Sequence, residues 1–332
     1  MALHDRPVLV APDSFKGTMS APTVAAAIAR GLERAGLSTD RCPVADGGEG
    51  TTEVLLARLG GEVLAAQASD PLGRPITASF ARLGEGSTAL VEVAAASGLY
   101  LLAPEERDAE AASSAGTGEL IAAAIDAGSS HVLVAAGGSA TTDGGIGAIE
   151  AIEAAGGLRG ARLSVLCDVR TPFEQAAAVF GPQKGADPAA VVRLERRLNA
   201  IGVPRGVPMS GAAGGLAGGL WSKLGAALLA GAPFVLDTLD FDERMLASAA
   251  VVVGEGRLDA TSLEGKIAAE IATRARQRGV PAHAIVGSCA LERFDARILD
   301  LQEILEAGDE RALERAGETL AGAIAPATAK RL

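Results

Sequence analysis

Acids, hydroxyls and a few cations recur in short glycine-rich segments of this sequence. The first is Asp13-Ser14-Phe15-Lys16-Gly17, which puts a carboxylate, a hydroxyl and an ammonium within four residues. Such a set can clamp a hydroxy-acid, with Lys16 on its carboxylate. Ser20 and Pro22 just beyond read equally well as a helix N-cap with Pro in the first turn. That plainer reading accounts for Ser20 but not for Asp13 or Lys16. The second segment, Asp46-Gly47-Gly48-Glu49-Gly50, opens a helix and sets exposed amides beside carboxylates able to bind a metal. An Asp-Gly turn with an acidic first helical turn is the alternative. Three glycines in four residues exceed what that alternative needs.

Two further loops are Ser113 to Glu119, containing Gly116, Thr117 and Gly118, and Gly137-Gly138-Ser139-Ala140-Thr141-Thr142-Asp143. Glycines let the backbone approach a phosphate, while hydroxyls and a helix N-terminus supply donors. Neither loop fits GxxxxGK[ST], nor GxGxxG in the required place, so a Walker-type nucleotide site is not expected. Asp168 closes an apolar run and reads as a Mg²⁺ carboxylate or as a structural cap. Lys184 reads as a phosphate cation. Arg257 and Lys266 bring a planar fork and a point charge suited to a triphosphate, with plain surface solvation the alternative for Lys266. His4, His131 and His283 are isolated, and no Ser-His-Asp order stands out. The mixture that remains suits phosphoryl transfer, which depends on positioning and charge neutralisation rather than on covalent chemistry.

The elements that must position these groups alternate. Apolar runs predict strands over Pro7 to Ala11, Thr88 to Val93, His131 to Ala136, Leu163 to Cys167, Ala249 to Val253 and Ala284 to Gly287. Helical spacing falls over Ala21 to Ala35, Gly118 to Ala127, Ile146 to Ala155, Pro188 to Asn199, Leu216 to Ala230 and Leu263 to Arg278. The alternation predicts an α/β protein with a mainly parallel sheet, its strands apolar on both faces. Polar residues at the carboxyl ends of such strands lie where doubly wound sheets bind ligands. Ile76 to Leu83 and Thr88 to Val93, around Gly84-Glu85-Gly86, predict a hairpin with no helix between, which marks a second domain.

Bulk properties narrow the partners. The chain has 332 residues, 42 of them Gly, with 48% hydrophobic content and a formal net charge of −11. That length favours two domains. The acidic balance, with no basic block, argues against nucleic acid and anionic membrane surfaces. Three scattered cysteines suggest neither disulfides nor zinc. The N-terminal segment lacks the pattern of a signal peptide, and no apolar stretch is long enough to span a bilayer, so a cytoplasmic protein is expected.

The segments APDSFKG, PVADGGEGT, DPLGRP, VEVAAASGL, GTGELI, GGSATTDGG, CDV, FGPQKGA, GAAGG and GEGRLD…GK stand in the order found in bacterial glycerate kinases of the glycerate 2-kinase type, a family this sequence resembles from about residue 8 to 288. The resemblance implies ATP- and Mg²⁺-dependent phosphorylation of D-glycerate, with 2-phosphoglycerate the product. It also implies a flavodoxin-like doubly wound domain plus a second, interleaved, restriction-enzyme-like α/β domain. We expect the first to comprise residues 1–66, 105–157 and 245–332, and the second 67–104 and 158–244. Matching positions are Asp13, Ser14, Lys16, Asp46, Glu49, Asp143, Asp168, Lys184, Glu255, Arg257, Asp259 and Lys266. On this reading Lys16, Asp46, Asp168, Arg257 and Lys266 are catalytic. Asp13, Ser14, Lys16, Glu49 and Arg257 bind the acid. Gly116, Thr117, Gly118, Gly137, Gly138, Ser139, Asp143 and Lys184 bind nucleotide, and Asp46 and Asp168 hold Mg²⁺. The sequence departs from the family between Gly157 and Leu163, where a connecting segment is missing, over Arg170 to Ala178, which is shortened, and at Thr142, where Asn is usual. Another hydroxy-acid substrate and a non-catalytic binding protein are the alternatives. A homodimer is compatible with all of these.

Overall fold

A computed structural model of the chain describes residues 6–260, 262 and 266–324. It divides into two compact units, Met1–Asp46 with Val235–Leu332, and Gly47–Phe234. In chain order the strands are β1 (Val8–Pro12), β2 (Thr39–Arg41), β3 (Gly61–Ser69), β4 (Pro75–Leu83), β5 (Thr88–Glu92), β6 (His131–Ala135), β7 (Arg162–Cys167), β8 (Ala227–Ala230), β9 (Ala250–Gly254), β10 (Arg257–Leu258), β11 (Ala282–Val286), β12 (Ser288–Cys289) and β13 (Leu301–Glu306).

In the first unit the apolar runs of β1, β9 and β11 are buried along their whole lengths. Strands with no polar face must be covered on both sides, which parallel sheets achieve with crossover helices. Five strands pair in parallel in the order β2-β1-β9-β11-β13. Counted within the unit, this is the 2-1-3-4-5 order of flavodoxin-type sheets, whose ligand crevice lies where the winding reverses, at the carboxyl ends of β1 and β9. One face is covered by the helices Ala21–Arg34 and Glu310–Ile324, around Val10, Ile28, Leu32, Val252, Ile285 and Leu313. The two helices meet at Gly31, where a Cβ would run into the Glu314 carbonyl oxygen. Arg30 and Arg34 then reach Glu314 across the same seam.

The second unit has a six-stranded sheet in the order β3-β4-β5-β6-β7-β8. Its β3-β4-β5 part is antiparallel and its β5-β6-β7-β8 part parallel. The expected hairpin is β4 and β5, with Gly84 and Gly86 turned into positive φ between them. Parallel pairing sets Glu92 level with Ala135, and Ala135 level with Leu166. The loops leaving β5, β6 and β7 therefore emerge together at one edge.

Residues 47–66 and 105–157, expected with the first domain, lie in the second unit. The reason is pairing: β3 is hydrogen-bonded to β4, and β6 sits between β5 and β7. The helix expected over Leu216 to Ala230 stops at Leu224, where Gly225 takes a positive φ, and Ala227–Ala230 adds β8 to the sheet edge. The start expected at Leu263 for the helix Ile267–Arg278 falls partly outside the described residues. The short link after the helix Ile146–Ala154 is a Schellman cap: the Gly157 amide donates to Ile152 and the Gly156 amide to Glu153. One further turn at Leu158 leads straight into β7. No helix among the described residues is long and apolar enough to cross a membrane.

Candidate active site

The crevice that the first sheet's order calls for is present. A cavity of about 440 Å³ is lined by Asp13, Ser14, Lys16, Thr18, Asp46, Glu255, Arg257, Lys266 and Ser288, with Gly256, Gly287 and Gly308. Pro12 pairs with Gly254, so Asp13 and Glu255 are the first residues beyond the paired ends of β1 and β9. The Asp13 amide donates to the Gly254 carbonyl at 2.8 Å. Glycines 254, 256 and 287 permit this: a Cβ on Gly254 would meet Pro12 at 2.8 Å. The Gly287 amide donates to Glu255 and the Ser288 amide to Gly256, extending the order into β10 and β12.

The electrostatics of this cavity are unusual. Burial and the neighbouring Asp46 push the Asp13 carboxyl up to about 8, although the Ser14 amide and Lys16 pull the other way. Burial likewise raises Glu255 to about 7, against the pull of Lys266 and a hydrogen bond from Ser262. Glu255 is 8% exposed, and its Oε1 has no hydrogen-bond partner among the described residues. Lys16 is exposed beside these acids. Arg257, 67% exposed on its side chain, is paired with Asp259 at 3.1 Å. Lys266 is the N-cap residue of the helix Ile267–Arg278.

The remaining expected residues belong to the second unit. Glu49 is exposed in the Gly47–Gly50 turn, and Gly48 lies so close to Gly137 that a Cβ there would meet it at 2.5 Å. Gly138 is exposed with φ +72°, and Ser139 follows it. Behind Ser139 stands Lys184, 2% exposed, donating to Ser139 Oγ at 2.9 Å and to the Thr141 carbonyl at 2.6 Å. Its Nζ also lies 5.9 Å from the centre of the Phe180 ring. Burial pulls the Lys184 ammonium down to about 7, while Asp143 and Asp168 act in the opposite sense.

Asp143 is consumed by the fold. It accepts the Ser114 amide at 2.8 Å, the Ser114 hydroxyl at 2.7 Å, and the amides of Gly145 and Gly147 at 3.0 and 3.2 Å. Gly116 and Gly118 are packing positions within the helix Ala115–Asp126. A Cβ would strike the Ser69 carbonyl at the first and the Ala148 carbonyl at the second. Thr117 is fully buried and bonded to Ser97 at 2.8 Å. The sequence alone did not single out Glu92, at the end of β5, which accepts the Thr52 amide at 2.8 Å and so ties the helix Thr51–Leu59 to the sheet. Burial raises its carboxyl, and Glu49 adds to that. The available signal was an acid ending an apolar strand. Among the described residues no group of three or more His, Cys, Asp or Glu is arranged to hold a metal.

A flavodoxin-type sheet with buried acids and cations at its switch point is the build of an α/β protein that binds a small polar ligand there. Comparison with known proteins makes the assignment specific. The model of the glycerate kinase family matches residues 8–156 and 153–328, and the chain belongs to that family. It is 38% identical over 323 residues to a glycerate kinase of Bacillus subtilis strain 168, covering 85% of each chain. It is 36% identical over 323 residues to a glycerate 2-kinase of Escherichia coli K12, again covering 85% of each. A crystal structure of a putative glycerate kinase 2 from Salmonella typhimurium LT2 superimposes with a TM-score of 0.79 at 30% identity, over 96% of this chain and 98% of that one.

Proposed function

We propose that this kinase transfers the γ-phosphate of ATP to D-glycerate and makes 2-phosphoglycerate, acting in the cytoplasm. The observation that carries the reading is the cavity at the β1–β9 switch point, which sets the cations Lys16, Arg257 and Lys266 around the buried acids Asp13, Asp46 and Glu255. A hydroxy-acid needs both. Lys16 and Ser14 take the carboxylate end, with Arg257 the second cation for it. The relatives named as glycerate kinases support the choice of acid.

Asp46, beside Asp13, is the residue we assign to Mg²⁺. Two carboxylates that repel each other in a buried place fit a divalent cation, which typically takes one or two carboxylates and completes its shell with phosphate oxygens and water. Asp168 in the second unit stays a second candidate. When bound, Mg²⁺ neutralises charge on the phosphate oxygens. Gly137, Gly138 and Ser139 are the residues assigned to phosphate, with Lys266 offsetting charge as the bond breaks. Gly116, Thr117, Gly118, Asp143 and Lys184 act on nucleotide only by holding that loop in place.

Purified enzyme with ATP and Mg²⁺ tests this when offered D-glycerate, L-glycerate, tartronate and glycolate in turn. ADP release that depends on D-glycerate and exceeds that with the other acids is expected. Equal or greater release with another acid moves the assignment to that acid. ADP release independent of any acid removes the kinase reading.

A further inference from the structure

We propose that Glu255 is a catalytic residue, the group that takes the proton from the attacking substrate hydroxyl through its Oε1. The inference rests on the D-glycerate kinase reading above and adds a named base to it. Three observations carry it. First, Glu255 lines the cavity at the switch point, yet it is 8% exposed and its Oε1 has no partner among the described residues. Leaving a buried carboxylate oxygen unbonded is costly, so the fold keeps it there at the expense of stability. Buried polar groups without partners concentrate where a ligand supplies the missing bond. Second, the backbone of Glu255 is fixed on both sides. Gly254 packs against Pro12, the Glu255 carbonyl accepts the Gly287 amide at 3.0 Å, and the Gly256 carbonyl accepts the Ser288 amide at 3.1 Å. A proton acceptor must stay within hydrogen-bond reach of the hydroxyl it serves, and rigid strand ends provide that better than a loop. Third, Asp13, the acid directly beyond the neighbouring strand β1, is engaged elsewhere. Asp13 accepts the Ser14 amide at 2.6 Å and faces Asp46, which suits it to a cation. The carboxylate of Glu255 instead takes a hydrogen bond from Ser262 and faces Lys266, Asp259 and Asp46.

In the step proposed, the oxygen on C2 of glycerate forms a bond to the γ-phosphorus of ATP. The bond from that phosphorus to the bridging oxygen breaks, and its electron pair stays on the β-phosphate of ADP. The hydroxyl proton passes to Glu255 and from there to water.

The test compares wild type, Glu255→Gln and Glu255→Asp in D-glycerate-dependent ADP release, with D-glycerate affinity measured separately by calorimetry. Gln keeps the shape and removes the base. The expected result is an active wild type and a Gln variant whose kcat falls by about 100-fold or more, with KM and calorimetric affinity within about threefold of wild type. Asp draws the oxygen back by one methylene and is expected to lose kcat tenfold or more, on the order of what a displaced catalytic group costs. A Gln variant with near-wild-type kcat overturns the assignment. A Gln variant with unchanged kcat at saturation and a raised KM overturns it too, since Glu255 would then only bind. Should the Gln variant not fold, full kcat in the Asp variant overturns it by itself. A wild type that releases no ADP with D-glycerate defeats the functional reading and this inference together.

Discussion

The ammonium nitrogen of Lys184 stands 2.9 Å from Ser139 Oγ, in surroundings that leave the lysine 2% exposed. The sequence assigns this residue to phosphate; in the fold its ammonium also donates to the Thr141 carbonyl at 2.6 Å, within the loop that follows β6. Burial lowers its proton affinity to about 7 from an ordinary 10.5. Between those two pH values the unfolded chain holds a proton that the folded chain has released, so stability rises with pH across that window. Replacing Lys184 with Met removes the contribution. Denaturation of both proteins between neutral and alkaline pH should show wild type gaining on the variant by up to about 1.4 kcal/mol per pH unit. A constant difference across that window would mean the lysine stays charged in the fold.

Ser114 and Asp143 join two loops that the sequence separates by 29 residues. Asn at position 143 would turn an amide NH₂ toward donors that now meet a carboxylate oxygen. Asp143→Asn should therefore cost on the order of 2–4 kcal/mol, because several charge-assisted bonds weaken at once and donors lose their acceptor. Urea denaturation checks this. A stable variant with only a raised KM for ATP would return Asp143 to the nucleotide.

Gly118 and Gly138 both come from glycine loops but do different work. Gly118 lets the helix Ala115–Asp126 press against the Ala148 carbonyl of the helix Ile146–Ala154. Gly118→Ala should lower stability by about 1–3 kcal/mol as an overpacked contact. Gly138 is exposed at φ +72°, with only the Ala94 side chain near, at 3.2 Å. Gly138→Ala should raise KM for ATP with a smaller loss of stability. Thermal melting and ATP titration of the two variants separate the cases.

Asp13 is held at about 8 by burial and Asp46, well above its ordinary 3.8. Across that window the folded chain holds a proton the unfolded chain has lost, so its contribution to stability falls as pH rises. In chelator above neutral pH, Asp13→Asn should melt higher than wild type by a few degrees, while losing activity. Millimolar Mg²⁺ should raise the melting temperature of wild type and not that of the variant, because only a ligand bound to the folded state stabilises it. Equal Mg²⁺ response in both would take Asp13 out of the cation site.

Much of the framework was legible because buried parallel strands leave continuous apolar runs: VLVAP, HVLVA and AVVVG are such strands in the structure. β3 was harder. It is the edge strand of an antiparallel pair, with Val63, Ala65 and Gln67 on its open face, so its apolar residues do not alternate with polar ones. Ala227–Ala230 fits a helix as well as a strand because the short apolar run Ala-Leu-Leu-Ala suits either period, and the break at Gly225 depends on a φ that sequence does not display. The acids and cations of the first unit are legible as a set, since Asp13 and Glu255 directly follow apolar strands and the others stand in the glycine-containing segments around them. The contacts of Gly118, Asp143 and Lys184 are hidden by distance along the chain. Their partners Ala148, Ser114 and Ser139 lie in other loops and helices, and only the pairing of strands brings them near. Glu255 could be quoted within a motif, but its unbonded oxygen is a property of burial.

The central claim is that phosphate moves from ATP to the C2 hydroxyl of D-glycerate, and proton-coupled phosphorus NMR of the reaction mixture tests it most directly. The expected outcome is ADP together with a new phosphomonoester signal split into a doublet by the single hydrogen on C2. A triplet from the C3 methylene would place the phosphate on the wrong oxygen. ADP accompanied by inorganic phosphate alone, or no change on adding D-glycerate, would rule out transfer to the acid.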